Sequence, residues 1–136
     1  MISLAARMSQ PDRLVILGWQ DLAGTLLHLH AQRLRENGIA VAVCGLAGQS
    51  ASADAVAKAL GGTLIFSNMG DGLRAAVDVI NGAITRMGVP RERTIVASLT
   101  PVYILAARGL GLPCVSPSTL EDLIDLNSLG ELWHDT

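Results

Sequence analysis

The sequence predicts an α/β fold, a three-layer Rossmann-like sandwich around a five-stranded, mostly parallel sheet, on three observations. Five short apolar runs recur along the 136 residues, and helical periodicity or a capping residue follows most of them. Glycines stand where the helices should stop. Half of the residues are hydrophobic while aromatics make up 3%, so the interior must be filled by Leu, Val, Ile and Ala, as between helices and a parallel sheet.

Residues 1–12 read as an N-terminal tail and 13–136 as a single domain, since one hydrophobic core typically serves roughly 100–150 residues. Leu14–Trp19 is the first apolar run, and Leu22, Leu26, Leu29 and Leu34 then follow at near-helical spacing. Gly38 closes that helix, and Ile39–Cys44 (IAVAVC) is the continuous apolar run of a strand covered on both faces. Ser52 is placed to cap a helix through Leu60, Gly61 and Gly62 break it, and Thr63–Phe66 is the third strand. Asp71 is placed to cap a longer helix through Met87. Thr94–Ala97 is the fourth strand, and Pro101 suits the first turn of a helix reaching Arg108 and ended by Gly109 and Gly111. Cys114 and Val115 make a short fifth strand, and Ser118 with Glu121 forms a capping-box pattern opening a last helix over about 118–133. Strands that alternate with helices in this way pair parallel, because parallel neighbours need crossovers.

Charge and hydropathy narrow the function. A net charge of −2 gives no basic footprint for nucleic acid, whose phosphates are met by clustered Lys and Arg. No apolar run approaches the ~18–20 residues of a membrane span, and the leader has no apolar stretch of signal-peptide length, so a cytoplasmic protein is expected. Cys44 and Cys114 lie in apolar runs, where a reduced thiol acts as a small hydrophobe; two cysteines make neither a zinc site nor a disulfide framework. In open parallel sheets ligands bind beyond the carboxyl ends of the strands. The places to search are therefore Gly18–Asp21, Cys44–Ser50, Ser67–Asp71, Ala97–Thr100 and Ser116–Thr119.

The stretch from Arg74 to Pro117, above all GVPRERTIVASLTPVYILAARGLGLPCV, resembles the C-terminal half of haloacid dehalogenase (HAD) superfamily hydrolases. The preceding LRENGIAVAVCGLAGQSASADAVAKALG is similar to the second strand and helix of that family. The resemblance implies a Mg²⁺-assisted phosphoryl-transfer site at the strand ends, and its motifs map onto this chain position by position. The family's fourth motif supplies two metal-binding Asp residues, and Leu99 and Tyr103 stand there. Arg74 takes the place of the third motif's Lys, keeping the charge with different geometry. At the second motif, where a Ser or Thr hydroxyl binds phosphate, the strand ends in Cys44 and Gly45. The first motif, DxD, has two alignments. With strand phase kept, Gly18 and Gln20 fill it; with DLAGTLL matched to the family's DLDGTLL, Asp21 is the nucleophile and Ala23 replaces the acid/base.

A bound Mg²⁺ and a positioned general acid are each worth several kcal/mol of barrier lowering, and both alignments lose at least one essential carboxylate. The expected protein is therefore a degenerate, capless HAD-like domain without cofactor, acting as a binding, regulatory or structural subunit through protein contacts. The alternative is a HAD-type hydrolase, or another enzyme binding a small phosphorylated ligand through Asp21, Arg74 and the backbone N–H groups near Gly45; only this alternative calls for Mg²⁺. Residues 120–133 carry Leu120, Leu123, Ile124, Leu126, Leu129, Leu132 and Trp133, more apolar positions than one buried helix face needs. With a mean hydropathy of +0.42, this points to a homo-oligomer or a subunit of a complex.

Other constellations carry less. His28 and His30 point about 200° apart on a helix and cannot share a metal. Asp71 and Asp78 share a helix face, as do metal-binding acids of PIN-like and NYN-type nucleases, but caps and solvated faces use acids in the same way. The glycine-rich Gly45–Ser50 follows a strand, yet its spacing matches neither GxGxxG nor a P-loop. A cobalamin-binding domain has the same β/α order, but its metal-binding His is missing from the first turn, where Asp21 to Thr25 stand.

Overall fold

The computed structural model describes residues 13–22, 33–46, 50–66, 70 and 72–125 of the chain. Its strands are β1 (Arg13–Gly18), β2 (Ile39–Gly45), β3 (Thr63–Phe66), β4 (Thr94–Ala97) and β5 (Cys114–Val115). The helices are α1 (Ser50–Leu60), α2 (Leu73–Met87), α3 (Pro101–Gly109) and α4 (Pro117–Asp125). Residues 33–36 are also helical, and of the first expected helix the stretch 23–32 lies outside the described residues.

The five strands form one sheet in the order β3-β2-β1-β4-β5, parallel throughout. These are the first five positions of a doubly wound sheet. Because side chains alternate across a strand, the apolar runs fill two cores. On one face Leu14, Ile16, Ala40, Ala42, Cys44 and Val96 meet Ala76, Val79, Ile80 and Ala83 of α2 and Tyr103, Ala106 and Ala107 of α3. On the other, Val15, Leu17, Val41, Val43, Ile95 and Ala97 meet Leu34, Ala57 of α1 and Leu120 of α4. Burial on both faces explains why β1, β2 and β4 read as unbroken apolar runs.

Two glycines are required by their surroundings. Gly88 has φ 68° and closes α2, its N–H donating to the carbonyl of Ile84; a Cβ there would face a conformational penalty. At Gly62 a Cβ would stand 2.9 Å from the Val41 carbonyl oxygen, so the entry to β3 passes too close to β2 for any side chain.

Several helix starts differ from the sequence expectation. Ser52 lies inside the first turn of α1, which begins at Ser50. The N-cap of α2 is Gly72, with no side-chain cap, and Asp71 lies outside the described residues. For α4 the cap is Ser116 rather than Ser118: the Thr119 N–H donates to Ser116 Oγ at 3.0 Å, and Pro117 occupies the first helical position. Ser116, like Ser118, is a good cap by composition; Pro117 decides between them, since its missing N–H and fixed φ are harmless only at the first turn. α4 is described as far as Asp125, and the rest of the expected 118–133 helix lies outside the described residues.

Candidate functional site

In this strand order the chain runs outward from β1 to β3 and then returns to β4 on the other side of β1. The carboxyl ends of β1 and β4 therefore flank the switch point where such sheets open a crevice. Leu17 lies beside Ala97 there, and Gly18 beside Cys44. After Gly18 the backbone tightens into a 3-10 turn, Trp19–Leu22.

The expected site residues divide into three groups. Gly18, Cys44 and Gly45 come together at the carboxyl ends of the two central strands, all buried. The thiol of Cys44 has no exposure, and burial pushes its ionisation far above the ordinary thiol range, so it stays protonated within the core facing α2 and α3. Gln20 is half-buried in the 3-10 turn. Its Oε1 and the Trp19 indole Nε1 are buried without hydrogen-bond partners among the described residues, a donor and an acceptor side by side in sequence at the end of β1. Asp21 belongs to the same turn by its backbone, while its side chain lies outside the described residues, as do 47–49 of the glycine-rich loop.

The third group lies on the rim. Arg74 is exposed in the first turn of α2, next to Leu73, which is 49% exposed. Leu99, just past β4, is 63% exposed. Tyr103, one turn into α3, is the opposite case at 1% exposure and is the largest fully buried side chain of the core. The two positions at which the resemblance implies metal-binding Asp thus hold a solvent-facing leucine and a core tyrosine, so the residues present do not fit that metal. Among the described residues no group of three or more His, Cys, Asp or Glu side chains comes together.

Sequence reasoning named Ser98 and Ser116 only within the turns Ala97–Thr100 and Ser116–Thr119, without a role for either, and did not point to Arg108. Ser98 is a buried hydroxyl at 2% exposure that shapes the turn from β4 into α3: the Thr100 N–H donates to its Oγ at 3.0 Å, and its own N–H donates to the Val115 carbonyl at 2.9 Å. The signal was present in Ser98-Leu99-Thr100-Pro101, a hydroxyl two residues before a residue committed to a helix start. Ser98 and Leu99 open onto a cleft of about 380 Å³ between α3 and β5, completed by Ile104, Arg108, Leu112, Cys114, Val115 and Ser116.

Comparison with models of protein families, with curated proteins and with solved structures gave no match.

Proposed function

We propose that the chain is a non-catalytic domain of HAD-like ancestry, a binding or structural subunit that associates through the carboxyl rim of its sheet, most simply with a second copy of itself. The observation that carries this reading is that two of the three exposed large hydrophobic side chains among the described residues, Leu73 and Leu99, stand where a doubly wound sheet ordinarily presents polar groups to a ligand. Support comes from Cys44 and Tyr103, whose side chains serve the core at positions the family uses for phosphate and metal. Cys44 and Cys114 are not joined in a disulfide, which fits a reducing compartment and supports a cytoplasmic location. No helix among the described residues is long and apolar enough to cross a membrane.

A second reading, an enzyme holding a small phosphorylated ligand at the strand ends, draws support from Trp19 Nε1 and Gln20 Oε1 at the end of β1, which have no partner among the described residues. One pair of measurements separates the two. Light scattering after size exclusion should find an associated native protein and a monomeric Leu73→Asp/Leu99→Asp variant. Turnover of p-nitrophenyl phosphate that requires Mg²⁺ and disappears in Asp21→Asn would instead establish the enzyme.

A further inference from the structure

The cleft between α3 and β5 combines three features. Its volume of about 380 Å³ falls within the ~300–1,000 Å³ range of small-molecule sites. Half of its lining is aliphatic, Leu99, Ile104, Leu112 and Val115, beside Ser98, Cys114 and Ser116. One cation, Arg108, lines it from the last turn of α3, and its guanidinium has no ion-pair or hydrogen-bond partner among the described residues.

An aliphatic wall with a single fork of N–H donors matches one chemistry, because a guanidinium binds a carboxylate through two parallel hydrogen bonds while the walls take an apolar tail. We infer that this cleft is a binding site for a small monocarboxylate with an aliphatic tail, its carboxylate on Arg108 and its tail along Ile104 and Leu112. The hydroxyl of Ser116 caps α4 by accepting from the Thr119 N–H, so it gives the cleft a polar end without competing for the guanidinium. The cleft shares Leu99 with the proposed association rim, but the residues that test the inference, Arg108 and Cys114, are not among those the association reading rests on.

Cys114 supplies the readout. It lines the cleft and is partly exposed, whereas Cys44 is wholly buried, so alkylation with N-ethylmaleimide followed by peptide mass spectrometry reports on the cleft with an internal control. Octanoate is the probe, octanol its uncharged counterpart, and Arg108→Gln the variant; Arg108 is exposed, so its loss leaves the core intact. Octanoate should slow alkylation of Cys114 at concentrations where octanol does not. In Arg108→Gln the octanoate concentration for half-protection should rise about tenfold, the worth of one charge-assisted hydrogen-bonded pair. Equal protection by octanol, no protection by octanoate, or an unchanged half-protection concentration in Arg108→Gln would each overturn the assignment.

Discussion

At the scale of single residues, the same side chain reads differently once its burial is known. Cys44 stands where the resemblance implies a phosphate-binding hydroxyl, yet it is a core residue whose proton is locked in by desolvation. A thiol ionises as an acid, and the folded chain holds its proton far above the ordinary value of 9.0, at which the unfolded chain releases it. The stability tied to this group is therefore complete below pH 9.0 and is lost as the pH rises beyond it, by at most about 1.4 kcal/mol per pH unit. Urea unfolding at about pH 8 and about pH 10.5 should show a steeper loss for the native chain than for Cys44→Ala, while groups common to both cancel. Parallel losses in the two proteins would mean that the thiol is hydrated in the folded state.

Tyr103 makes the complementary point. It follows the resemblance in position and departs from it in role: an acid there would be stranded in the apolar core that α2 and α3 share with the sheet, whereas an aromatic ring helps fill it. Leu99, two residues before Pro101, faces solvent because the turn shaped by Ser98 carries it outward. No pattern of residue types along the chain distinguishes these two fates; the turn geometry does.

At the scale of elements, the end of β5 shows what a cap is worth. Ser116 Oγ accepts the Thr119 N–H at 3.0 Å and lies 2.9 Å from the Thr119 hydroxyl, so it fixes both the start of α4 and the rim of the α3–β5 cleft. Ser116→Ala should cost about 1 kcal/mol of stability, and Ser118→Ala, on an exposed position inside the helix, should cost much less. Chemical denaturation of the two variants side by side checks this; the reverse order would mean that the helix starts two residues later than described.

That contrast also marks how far the sequence could be read. The strands were legible to within a residue, from Ile39–Cys44 to Thr94–Ala97, because burial on both faces leaves runs with no polar interruption. Helix boundaries were legible where chemistry leaves one option, as at Gly38, Gly61 and Pro101, two of them glycines with positive φ and the third a proline at a first turn. A helix start with two hydroxyls in reach, Ser116 and Ser118, was not, since each can cap a turn beginning after it and only the path of the chain selects one. The candidate site was legible only in outline. The strand ends could be named, but the Arg108 cleft joins residues from α3, β5 and the turns around them, and its shape follows from packing rather than from any local motif.

At the scale of the whole molecule, strand order decides which parts open first. β1 is flanked on both sides, pairing with β2 over six residues and with β4 over four, and it lies between the two cores. β5, at one edge, pairs with β4 over two residues, and β3, at the other, pairs with β2 over four. Separating β5 exposes little apolar surface, whereas β1 can be freed only by taking both cores apart, and the free energy of opening scales with the surface exposed. Native-state hydrogen exchange should therefore rank the amides in the order β1, then β2 and β4, then β3, with β5 exchanging first and at least about tenfold faster than β1. If octanoate occupies the cleft beside β5, the exchange of Val115 and Ser116 should slow while that of β1 is unchanged, because a ligand on the edge stabilises the local opening and leaves the global one to the core. Protection at β5 equal to that at β1 without any ligand would mean that the sheet opens only as one unit, with its edge held by contacts beyond its own two-residue pairing.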